Sequence, residues 1–112
     1  MSHTYRDLLV WQKAVTLVKD VYLETREFPK VEVYGLAAQM RRSAVLVPSN
    51  IAEGQGRLSK GEFRQFLGVA RGSLLELETQ IIIATDLHYV EEARRVIGIP
   101  DTGSLANAEW IN

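Results

Sequence analysis

Arg57, Lys60 and Arg64 fall within two helical turns of one another, just after a pair of glycines and at the start of a long amphipathic segment. Clustered Arg and Lys beside the free amides of a helix N-terminus are what contact with phosphate groups requires. Arg71 lies farther along the same segment and Arg41 on the preceding one. Together Arg41, Arg57, Lys60, Arg64 and Arg71 are the candidate residues for holding a polyanion such as RNA. The competing reading pairs these bases with acids such as Glu53, or with a neighbouring subunit.

Enzymatic chemistry has little to stand on. The two histidines, His3 and His88, have no partner at catalytic spacing, and no His-x-x-x-His or Glu-x-x-His ligand pair occurs. The absence of cysteine excludes disulfides, thiolate metal sites and cysteine nucleophiles. Gly54-Gln55-Gly56-Arg57 resembles a fragment of a phosphate loop but lacks the preceding strand and the Gly-Lys-Ser/Thr ending. It reads as a helix end followed by a turn, with glycines able to take the left-handed conformation that stops a helix. A non-enzymatic protein without metal or cofactor is expected.

A second group of polar residues sits at positions that face inward or lie between helices: Gln39, Arg42, Asn50, Glu53, Ser73 and Glu76. In a hairpin folded at residues 55 to 58, position 42 lies across from about 72, so Arg42 can reach Ser73 or Glu76. Such a partly buried pair adds more to the specificity of packing than to stability. The set reads as a structural network holding two helices in register, with a small-molecule site around Asn50, Glu53 and Glu76 as the alternative.

The elements that position these residues are helical. From Asp7 to Thr25 one stripe (Leu8, Trp11, Val15, Val18, Tyr22) runs beside a second (Val10, Ala14, Leu17, Val21) at spacings of three and four. That face is wider than one neighbouring helix covers. Phe28-Pro29 ends the segment. A second helix starts between Glu32 and Leu36 and carries Leu36, Met40, Ala44 and Val47 inward, with a kink or break expected near Val47 because Pro48 follows. A third should run from Lys60 to about Asp86, opened by a Ser59-x-x-Glu62 capping box. Within it Gly68 and Gly72 lie four apart and suggest close approach of a neighbouring helix or, as the alternative, of a ligand backbone. Val90 to Ile97 can form a short helix, which Gly98 and Pro100 stop. The fold expected is all-α, an up-and-down antiparallel four-helix bundle with a short or irregular fourth helix. Its bundle domain spans 1–97 and an irregular tail spans 98–112.

The net charge of −1 gives no global field toward nucleic acid or membrane. The distribution is polarised, however: Arg41 to Arg71 holds six bases against two acids, and Leu74 to Glu92 holds five acids and no Lys or Arg. That polarity suits either a polyanion site or head-to-tail contact between identical subunits. No apolar run approaches the ~20 residues of a membrane span, and the first residues lack the apolar core of a signal peptide. A cytoplasmic protein with no membrane contact is expected.

Several motifs in order then carry a resemblance. Asp7-Leu8, Val10-Trp11-Gln12-Lys13-Ala14, Phe28-Pro29, Tyr34-Gly35-Leu36, Gln39-Met40-Arg41-Arg42-Ser43-Ala44, Pro48-Ser49-Asn50-Ile51-Ala52-Glu53-Gly54 and Gly72-Ser73-Leu74-Leu75-Glu76-Leu77-Glu78 resemble the 23S rRNA intervening-sequence protein family, also called the S23 ribosomal or four helix bundle protein family. The resemblance spans roughly residues 5 to 95. It implies a four-helix bundle that assembles as a homopentamer, and an association with inserted segments of ribosomal RNA genes. RNA or a ribonucleoprotein is the partner it suggests. From Val96 onward the sequence departs from the family's long fourth helix, with Gly98-Ile99-Pro100-Asp101-Thr102-Gly103 in its place.

Overall fold

Packing begins with the middle helix. The computed structural model describes residues 4–89, which form three α-helices and two 3-10 turns: a turn Tyr5–Asp7, α1 Leu9–Thr25, a turn Lys30–Glu32, α2 Leu36–Gln55 and α3 Lys60–Asp86. No strand occurs among the described residues. α2 packs against both α1 and α3, which flank it without approaching each other directly. The expected fourth helical element at 90–97 and the tail at 98–112 lie outside the described residues, as does His3. Among the described residues the fold is all-α with three helices.

α1 begins two residues later than the periodicity predicts. Thr4 caps the first 3-10 turn, its hydroxyl accepting from the Arg6 amide at 3.2 Å while Asp7 accepts from the Thr4 amide at 3.1 Å. Leu8 is then extended, with φ −75° and ψ 126°, before the α-helix starts. Of the two stripes on α1, the second faces the core: Ala14, Leu17 and Val21 are buried, as is Thr25 one turn on. Leu8, Trp11 and Val18 of the first stripe pack against the core's margin, and Tyr22 is exposed.

Met40, Ala44, Val47 and Ile51 of α2 are completely buried. The break expected near Val47 does not occur; Pro48 lies buried inside a single helix. Proline has no N–H to give the Ala44 carbonyl. Burial of Val47 and Ile51 on either side holds the helical path across that gap. α3 has the predicted boundaries, with Ala70, Leu74, Leu77, Ile81 and Ala84 in the core.

The glycines act differently from expectation. Gly56 has φ −79°, a right-handed conformation, so α2 does not end in a left-handed residue. Gly54 matters through space. A Cβ there would lie 2.7 Å from Phe66 Cβ and 3.0 Å from Phe63 Cδ1. Its hydrogen lets the first turns of α3 close onto the end of α2. Gly68 and Gly72, expected to admit a neighbouring helix or a ligand backbone, meet nothing within 4 Å among the described residues. The left-handed residue is His88 (φ 61°), which ends α3. There the Tyr89 amide donates to Ala84 O at 3.0 Å and the His88 amide to Thr85 O at 3.0 Å, the paired bonds of a Schellman motif.

Candidate nucleic-acid interface

The tip of the α2–α3 hairpin is built from the Gly54 contact outward. With Phe66 drawn against Gly54, the Arg57 guanidinium lies over the Phe66 ring, 4.7 Å from its centroid. Arg57 Nη2 also donates to Glu53 Oε1 at 3.3 Å, an exposed pair one helical turn apart. Arg57 is thus tethered in place. The turn continues through Leu58, whose side chain is fully exposed.

Ser59 starts α3. Its hydroxyl accepts from the Glu62 amide at 3.1 Å, as the capping sequence predicts. The return half of the box differs: the Glu62 carboxylate accepts from the Ser59 hydroxyl at 3.1 Å, not from its amide. The amides of Lys60 and Gly61, in the first turn, have no intrahelical partner. Lys60 and Arg64 project one turn apart, both exposed. Among the described residues neither side chain makes an ion pair or hydrogen bond.

The five candidate cations divide. Arg57, Lys60 and Arg64 come together at the tip. Arg71 lies seven residues beyond Arg64, two turns along α3 and about 10 Å from it at 1.5 Å per residue. Arg41 stands apart, sixteen residues before Arg57 and about 24 Å away along α2. Its Nε donates to Thr25 Oγ1 at 2.8 Å and its guanidinium lies 4.7 Å from the centroid of the Tyr22 ring, so it staples α1 to α2.

The second set of polar residues also divides. Asn50 turns back on its own helix, its amide donating to Leu46 O at 2.7 Å, and Glu53 holds Arg57. Glu76 accepts from Ser43 Oγ at 2.6 Å. No bond joins Arg42 to Ser73 or Glu76 among the described residues. Ser73 is buried. Gln39 and Arg42 instead line an open groove between α2 and α3 with Glu76, Thr79, Gln80 and Ile83, about 440 Å³ in volume. Ser43, like Thr25 and Gln80, is a buried polar residue outside the expected set. Its place on the buried stripe, three residues after Met40 and four before Val47, is the signal that could have found it.

A further polar contact closes the other end. Tyr89 Oη donates to Glu32 Oε2 at 2.7 Å, and the Leu36 amide donates to Glu32 Oε1 at 3.0 Å. The Leu36 amide, and then the Tyr89 hydroxyl, hold the Glu32 carboxyl below its ordinary pKa. The same bond raises the Tyr89 phenol. On α1, desolvation raises Asp20 and Glu24, and Glu27 raises Glu24 further.

Among the described residues no group of three or more His, Cys, Asp or Glu could hold a metal ion, and no helix is long and apolar enough to cross a membrane. What the geometry defines is a small helical protein whose hairpin presents cations at its tip. Residues 6–97 match the sequence model of the 23S rRNA-intervening sequence protein family, and the chain belongs to that family. No curated protein matches it.

Proposed function

We propose that this protein is a non-enzymatic, cytoplasmic helical scaffold that assembles from several copies and contacts RNA through the tip of its α2–α3 hairpin. A pentamer is the assembly that its family resemblance implies. The observation that carries the reading is the pair Lys60 and Arg64, exposed and without partners among the described residues, beside the open amides of Lys60 and Gly61. Arg57, held by Glu53 and Phe66, adds a third cation at a fixed position. The family's description ties it to segments inserted in 23S ribosomal RNA, which makes such an RNA the natural ligand to try.

Three phosphates neutralised per subunit give a slope of log affinity against log salt of about −2 to −3. Binding to an RNA stem-loop, titrated across a series of salt concentrations, measures that slope. Replacing Arg57, Lys60 and Arg64 together by Gln should remove most of it and leave the assembly intact. If the triple variant falls into smaller species, the tip belongs to a contact between subunits and the protein is an assembly module without RNA binding. A wild type that binds no RNA at low salt rules out the RNA reading.

A further inference from the structure

Leu58 is the residue of the hairpin tip that contact with phosphates does not use. Its side chain is fully exposed, between Arg57 and the Ser59 cap, on the turn that leads to Lys60 and Arg64. An apolar side chain gains nothing against charged phosphates; it gains by meeting apolar surface.

Arg57 offers a second surface of a similar kind. Its guanidinium lies 4.7 Å from the centroid of the Phe66 ring, and Nη2 donates to Glu53 Oε1 at 3.3 Å. Phe66 thus backs one face of the plane, and Glu53 takes one of its N–H donors. The side chain remains 41% exposed, which leaves the opposite face open to solvent. A guanidinium is planar, less strongly hydrated than an ammonium, and stacks on flat rings. Here its plane is set before any ligand arrives, because Phe66 behind it is held against Gly54.

These two surfaces discriminate between kinds of RNA. A paired A-form helix keeps its base faces inside the stack and presents phosphates and 2′-hydroxyls, with a major groove too deep and narrow for side chains to read. It leaves the open guanidinium face and Leu58 without a partner. An unpaired nucleotide exposes its base, which can lie on a guanidinium plane. Cations beside a leucine also suit an anionic membrane, but one exposed leucine gives a bilayer little to hold.

We infer that the hairpin tip selects unpaired nucleotides, such as those of an RNA loop or bulge, over duplex RNA: a base stacks on the open face of Arg57 and meets Leu58, while Lys60 and Arg64 hold neighbouring phosphates. This rests on the RNA contact proposed above and adds which part of an RNA is held.

Fluorescence anisotropy of the full chain tests it with three RNAs of equal phosphate number: a stem-loop, a blunt duplex, and the same stem-loop with abasic nucleotides in its loop. The wild type should bind the intact stem-loop about fivefold or more tighter than the other two, the lower end of what stacking one base is worth. Arg57→Lys keeps the charge without the plane, so its affinity for the stem-loop should fall to its affinity for the abasic one. Leu58→Ser should narrow the same ratio. Lys60→Gln should weaken all three complexes by a similar factor and keep the ratio. The three side chains are exposed, and circular dichroism checks that each variant stays folded. An abasic loop bound as tightly as the intact one, or an Arg57→Lys variant that keeps the preference, overturns this inference and leaves RNA contact in place. A wild type that binds none of the three RNAs at low salt, or binds only phosphatidylserine vesicles, overturns both.

Discussion

Adding one methyl group at Gly54 tests what sets the hairpin. The new Cβ would lie 2.7 Å from Phe66 Cβ, 3.0 Å from Phe63 Cδ1 and 3.3 Å from the Phe63 carbonyl oxygen. Phe66 Cβ is bonded to the α3 backbone and the Phe63 carbonyl belongs to it, so relief requires α3 to move away from α2. Overpacking of this kind costs about 1–3 kcal/mol. The helix-propensity gain of alanine over glycine, about 1 kcal/mol, offsets part of that. A net loss of up to about 2 kcal/mol is expected for Gly54→Ala, or up to roughly 10 °C in melting temperature for a domain of this size. Gly72→Ala is the internal control. Nothing lies within 4 Å of its Cβ, so the same propensity term should stabilise the folded monomer by about 1 kcal/mol. Thermal and urea melts of the two variants beside the wild type measure both. Opposite signs are the expected result. If Gly54→Ala melts at or above the wild type, the close approach of α2 and α3 is not what that glycine permits.

The caps on α3 should respond in opposite directions, read by urea unfolding. Ser59→Ala removes the acceptor for the Glu62 amide and should cost about 1 kcal/mol. His88→Gly removes a side chain from a left-handed position and should gain about 1 kcal/mol. The Glu32 carboxyl titrates lower folded than unfolded, so its contribution is complete above the ordinary carboxylate range and is lost as the pH falls through the lower folded value. Asp20 and Glu24 are shifted the other way and oppose that trend. The quantity to measure is therefore the difference between wild type and Glu32→Gln, which should shrink on acidification between pH 6 and the acid transition.

Much of the helical frame was legible. The Lys60–Asp86 span of α3 follows from a capping residue and a stripe that repeats for seven turns, two signals that agree. Pro48 misled because proline's local cost was visible in the sequence, whereas the full burial of Val47 and Ile51 that outweighs it is a tertiary fact. The glycines misled for a related reason. A sequence shows that a residue lacks a side chain but not whether that absence serves backbone handedness, close packing or nothing inside the chain. At the tip, Arg57, Lys60 and Arg64 were readable together because a short turn and one helical repeat join them. The Ser43–Glu76 bond was not, since simple counting from the turn set position 42 opposite about 72. The closure of Phe63 and Phe66 onto Gly54 fixes a different register.

The Tyr89–Glu32 bond gives the chain an unequal resistance to opening. It joins residues 57 apart and ties the end of α3 to the start of α2, while the covalent turn joins the same two helices at the other end. The hairpin is therefore fastened at both ends like a buckled strap. α1 leans on it through one buried face and the Arg41 staple. Partial unfolding should peel α1 away first and leave the hairpin as the last cooperative unit to open, so amide hydrogens of α1 exchange before those in the centre of α3. The piece of the fold that presents the basic tip is then also the piece that survives longest.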